Sequence, residues 1–107
     1  REVDLAHVMG VSRRRVCEML GLDIGVHEGE DHTCEALGLM RFTPWEAVVV
    51  AADMAVKCGS IEIGFMDRFN GSLILTGGIA EVESAEQEVL DYFGNVLGFH
   101  VCQMTRR

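Results

Sequence analysis

The chain has 107 residues, 49% of them hydrophobic and 24% charged, which is apolar mass enough for one core and too little length for two ordinary domains. Its formal charge of −8 argues against a nucleic-acid surface, because phosphate binding needs clustered cations and the one basic run is Arg13-Arg14-Arg15. No apolar stretch reaches the roughly 20 residues that span a bilayer, no signal-peptide core opens the chain, and Cys17, Cys34, Cys58 and Cys102 form no C-x-x-C pair, so a soluble intracellular protein with reduced thiols is expected.

In chain order, residues 2–9 begin with alternation and hold Val3, Leu5, Val8 and Met9, which predicts a strand. Ser12 is placed to cap a short helix with Val16, Met19 and Leu20 on one face and Gly21 as its stop. Residues 23–35 carry Asp23, Glu28, Glu30, Asp31 and Glu35 around Gly25 and Gly29 without helical or strand period, which predicts an acidic loop. An apolar strand, 36–42, then runs into Thr43-Pro44-Trp45-Glu46, where Thr43 is placed to cap a helix, Pro44 to open it and Glu46 to reach back. That helix, about 44–58, is apolar nearly all round, with small faces at Ala47, Ala51, Ala52 and Ala55 and with Asp53 and Lys57 four apart on a narrow polar side, before Gly59 ends it. A helix of this kind is expected to be buried on two sides, one of them against another subunit.

Ser60 to Asp67 and Ser72 to Thr76 read as a hairpin about Asn70-Gly71, with a type I′ turn that places both residues at positive φ. Gly77-Gly78 leads into an amphipathic helix, about 81–97, with Val82, Ala85, Val89, Phe93, Val96 and Leu97 inward. Its acids Glu81, Glu83, Glu86, Glu88 and Asp91 read as a wet polar side. Gly98 closes the helix, and a last strand, Phe99 to Met104, precedes Arg106-Arg107. From residue 36 onward the order strand, helix, strand, strand, helix, strand predicts an α+β, split βαβ arrangement with helices on one face of an antiparallel sheet.

Candidate chemistry is sparse. His27-Glu28-Gly29-Glu30-Asp31-His32-Thr33-Cys34 mixes hard and soft ligands in a loop and matches no defined metal geometry, so a solvated acidic loop is expected there. His7 and His100 fall in predicted strands and read as satisfied edge histidines. The sequence has no nucleophile elbow, P-loop, H-E-x-x-H or G-x-G-x-x-G, and Gly77-Gly78 is too short to stand for one. No catalytic residue, metal or cofactor is expected.

Several runs together resemble a known family: Ala36-Leu37-Gly38-Leu39-Met40, the Thr43-to-Ala47 helix start, Ala52-Asp53-Met54-Ala55-Val56-Lys57, and Ile63 to Gly71 followed by Leu75-Thr76-Gly77. Val3-Asp4-Leu5-Ala6-His7 and Gly98 to Arg106 extend the likeness over nearly the whole chain. The sequence resembles the circularly permuted hexameric shell proteins of ethanolamine, propanediol and choline microcompartments. The resemblance implies a permuted strand and helix in 1–22, a connecting loop in 23–35 and a βαββαβ core in 36–107, and the sequence departs from it in that His27 to Glu35 is longer and more acidic than the family's usual connection.

It further implies homohexamers that tile with other shell proteins in a cytoplasmic microcompartment and enclose enzymes, with no enzymatic role and neither nucleic-acid nor membrane partners. On this likeness Arg68, Phe69, Asn70 and Gly71 surround the sixfold pore, while Lys57 and Asp53 sit at the edge where hexamers meet. Related permuted proteins carry an extra N-terminal segment that forms a small barrel over the pore, and this sequence opens at Arg1, just after its place. Some hold an iron–sulfur cluster at the pore; the pore turn here has no cysteine, so none is expected. The residues by themselves leave two alternatives open, a ligand-binding regulatory module that dimerises through its sheet and a small enzyme with a site between subunits.

Overall fold

A computed structural model describes residues 1–10, 36–58 and 60–106. The predicted Ser12 helix, the acidic loop, the His27–Cys34 cluster and the Gly59 stop lie outside the described residues. The element order is β1 (Glu2–Gly10), β2 (Ala36–Thr43), α1 (Ala47–Lys57), β3 (Glu62–Asp67), β4 (Ser72–Gly77), α2 (Ile79–Asn95), β5 (His100–Val101) and β6 (Thr105–Arg106). They form one sheet in the order β3-β4-β2-β1-β5, with β6 also against β1, and a layer of two helices packed on it and on each other.

β1, β2, β4 and β3 pair antiparallel in sequence of adjacency, whereas β5 and β6 join the free edge of β1 in parallel, so the predominantly antiparallel sheet gains a parallel margin. The predicted last strand, Phe99 to Met104, keeps strand pairing at His100–Val101, with a further bond from the Cys102 N–H to the Val3 carbonyl at 2.9 Å, while β6 lies beyond it. Alternation in β1 is broken where Val3 faces Phe42 and Leu5 faces Arg41, which leaves Asp4 as the extra residue of a β-bulge. The bulge turns Val3 and Ala6 to the same buried side and aims Asp4 at Arg41, whose Nε and Nη2 donate to its two oxygens at 3.1 Å each. That forked bond holds the Asp4 carboxyl below its ordinary range.

The core lies between sheet and helices. Val3, Ala6 and Val8 of β1, Met40 and Phe42 of β2, and Leu73 and Leu75 of β4 meet Val48, Ala51 and Ala55 of α1 and Val82, Ala85, Val89 and Phe93 of α2. Phe93 is its hub, with its ring 5.2 Å from Phe42 and 4.9 Å from Phe99, the latter edge-on. Burying one such ring contributes about 3 kcal/mol. The alanines of α1 let it lie close to the sheet, while Val49, Val50 and Val56 on its outer flank stay exposed beside Trp45. Within the single chain this flank, which also carries Asp53 and Lys57, stays open, so the expected second buried side is not formed there.

The start of α1 departs from the predicted cap. Thr43 stays in β2, paired with Glu2, across a cis Thr43–Pro44 bond. Successive i to i+3 bonds from Ala47, Val48 and Val49 to Pro44, Trp45 and Glu46 then wind up the first turn, and Glu46 caps it without a side-chain bond. The strand ladder claims Thr43 before the helix can. α2 begins two residues earlier than expected, and after it Gly98, at φ +73°, lets the Phe99 N–H return to the Phe93 carbonyl at 2.8 Å.

Candidate functional site: the β3–β4 turn

β3 and β4 pair up to Asp67↔Ser72, and the four residues Arg68 to Gly71 close the hairpin. Asp67 builds this turn. Its Oδ1 accepts the N–H groups of Phe69 at 2.8 Å and Asn70 at 3.3 Å, its Oδ2 accepts the Asn70 side-chain amide at 2.8 Å, and its carbonyl accepts the Gly71 N–H at 2.9 Å. An aspartate that satisfies the following backbone in this way holds those residues at negative φ. Asn70 accordingly is not in the left-handed region, and Gly71 alone is, at φ +71°. The expected type I′ turn is therefore replaced by a wider loop in which only the last position needs glycine.

The same bonds settle the charge at the tip. Asp67 is directed at the turn's own N–H groups and not at Arg68, which has no ion pair among the described residues. Gly71 anchors the loop's other end: its carbonyl accepts the Phe42 N–H at 2.8 Å, and a side chain on it would land on the Phe42 carbonyl and press on the Trp45 Cα. The turn is thus fixed at both ends against a strand terminus, while its tip projects into solvent, with Phe69 91% exposed.

Asp53 and Lys57 are the residues expected at the hexamer edge, apart from the turn. They form an i,i+4 ion pair of 2.8 Å on the exposed flank of α1, on a different element from the turn. A solvated pair of this kind is worth a few tenths of a kcal/mol. His7 lies within 2.6 Å of the Thr105 hydroxyl through Nδ1, and His100 is exposed in β5. The Cys58 thiol reaches the Met54 carbonyl at 3.2 Å and Glu88 at 3.1 Å; burial first, then Glu88, pushes it up to about 11. It is a poor nucleophile. Among the described residues no group of three His, Cys, Asp or Glu is spaced to hold a metal ion.

One residue was misplaced by sequence reasoning. Glu86 was assigned to the wet side of its helix, yet it is fully buried and neither of its oxygens has a hydrogen-bond partner. The steps from Val82 to Glu86 to Val89 to Phe93 are four, three and four, which is the apolar stripe itself. That spacing was the signal that could have found it. Burial pushes the Glu86 carboxyl up to about 9.

The fold is thus a two-layer α+β domain with an interior strand at its N-terminus and a rigidly based, exposed hairpin turn. Residues 36–105 match the BMC domain family, and the chain belongs to that family. β1 precedes the matched region yet lies inside the sheet, between β2 and β5, as in a circularly permuted domain. The chain is 40% identical over 106 residues to the bacterial microcompartment shell protein CutR of Streptococcus intermedius, covering 99% of this chain and 84% of that one. It is 37% identical to the shell protein PduU of Salmonella typhimurium, with the same coverage. Among solved structures it is similar to a CutR flat hexamer, form 2, at a TM-score of 0.81 and 39% identity over 99% of this chain and 89% of that chain. It is also similar to a CutR screw form of 33.8 angstrom pitch, at 0.83 and 36% over the full length of both.

Proposed function

We propose that this chain is a structural, non-enzymatic shell protein that assembles as hexamers, tiles with other shell proteins around enclosed enzymes in the cytoplasm, and passes small metabolites through a pore framed by Arg68 to Gly71. The likeness to shell proteins solved as hexamers runs along nearly the whole chain, but the observation within this chain that carries the reading is the uncovered apolar flank of α1. Val49, Val50 and Val56 stand exposed on a helix whose other side already fills the core. On this reading a neighbouring subunit covers these three valines.

On this reading the turn's construction acquires a purpose. A pore loop must keep its side chains in place without support from the open side. Asp67 and Gly71 supply that support from behind, through the turn's own backbone and the end of β2. Sixfold repetition converts one unpaired Arg68 into a ring of positive charge within an otherwise acidic assembly, which favours anions in a narrow passage. The neighbouring Phe69 side chains narrow it. Asp53 and Lys57 then lie at the hexamer edge, where a flexible ammonium can extend along an adjoining hexamer.

Light scattering at micromolar concentration tests the assembly. A mass of six chains is expected, whereas a dimer would favour the regulatory-module alternative.

A further inference from the structure

We propose that seating α2 on the sheet takes up a proton at Glu86, so that the helix lies tightest against β2 in mildly acidic solution and loosens as the pH rises through neutrality. The geometry leaves no other role for this side chain. Glu86 points from the middle of α2 onto Gly38 of β2, where a glycine supplies the room: a Cβ at residue 38 would stand 2.6 Å from Glu86 Oε2 and 2.7 Å from Val82 Cγ1. The carboxyl is closed off from solvent, and both its oxygens lack partners. A neutral acid survives such a place at modest cost, but a carboxylate without a counter-charge does not.

Among the described residues no cation pairs with it. Arg106 is held by Glu83 at 2.9 Å, one turn away on α2; Arg41 is held by Asp4, and Lys57 by Asp53. The side chains that meet α2 in the core from β1, β2, β4 and α1 are apolar. Toward β5 and β6 the Cys102 thiol is the titratable group close enough to feel Glu86, and it is itself raised by burial. On the remaining sides, Glu88 faces Cys58, and His7 bonds to Thr105.

The direction follows by linkage. The folded carboxyl titrates at about 9, above its ordinary 4.5, with burial as the cause. The helix-released state therefore gives up its proton first as the pH rises. Stability contributed by the protonated seat is complete below about 4.5 and is lost between there and about 9.

Amide hydrogen exchange in α2 of the assembled protein, corrected for intrinsic pH dependence, reads this directly. Protection of residues 82–90 should fall about tenfold per pH unit between pH 5 and pH 9. In Glu86→Gln, which keeps the shape and loses the titration, that slope should vanish. Glu86→Leu serves the same comparison should the amide variant not fold. A flat profile in the unsubstituted protein, or an unchanged slope in either folded variant, would overturn the proposal. The inference does not depend on the shell reading, since a failed hexamer would leave it intact.

Discussion

Gly71→Ala, set beside Gly98→Ala, separates the backbone cost of the β3–β4 turn from its packing against β2. Both glycines are in the left-handed region, at φ +71° and +73°. Placing alanine there costs about 1–2 kcal/mol, offset by about 0.4–1 kcal/mol because alanine also restricts the unfolded chain. A Cβ on Gly98 meets nothing within 4 Å, so that substitution should cost about 1 kcal/mol or less in all. A Cβ on Gly71 meets the Phe42 carbonyl and the Trp45 backbone, neither of which can rotate away. The turn must lift from β2, which breaks the 2.8 Å bond from the Phe42 N–H and leaves a donor at a buried residue unpaired, worth about 1–3 kcal/mol. The two variants should therefore differ by about 1–3 kcal/mol, or roughly 4–24 °C in Tm for a domain of this size. Both should be melted at the same protomer concentration, because assembly adds to apparent stability. Equal losses in the two variants would refute the claim that the turn is clamped to β2.

The other substitutions probe separate parts of the same account. Asp67→Ala removes three bonds inside the turn and should cost about 1–2 kcal/mol, with faster amide exchange confined to residues 69–71 and the hexamer retained. Arg68→Ala should change stability by less than about 0.5 kcal/mol while reducing the passage of anionic solutes relative to neutral ones in a shell-permeation assay; unchanged selectivity would remove Arg68 from the pore. Lys57→Ala loses only a solvated pair worth a few tenths of a kcal/mol, so it should spare the hexamer and yet weaken extended sheets seen by electron microscopy. Intact sheets would leave Lys57 as nothing more than the partner of Asp53.

Much of this fold was written in local patterns. The apolar run of β2, the Asn70-Gly71 signal between β3 and β4, and the three- and four-residue spacing of Val82, Val89 and Phe93 announced their elements. What failed were positions where two local rules competed. Thr43 has the makings of a helix cap, but its pairing with Glu2, on a strand far away in sequence, decided the matter. Asn70-Gly71 has the makings of a type I′ turn, but Asp67 offered the backbone a different set of bonds. Glu86 was misread because its charge outweighed its spacing. The glycine that accommodates it is 48 positions earlier, in β2, where no helical periodicity could point to it. The β3–β4 turn was legible as an exposed hairpin tip, while its clamp to Phe42 depends on β2 and β4 being neighbours.

Electron cryomicroscopy of the purified assembly tests the central claim most directly, because it reports the number of chains and the position of the turn together. The account predicts six chains about one axis, with Arg68 to Asn70 the part of each chain nearest that axis, Val49, Val50 and Val56 covered by a neighbouring chain and Lys57 left at the outer edge. A monomer, a dimer, or a hexamer carrying that turn on its outer rim would contradict it.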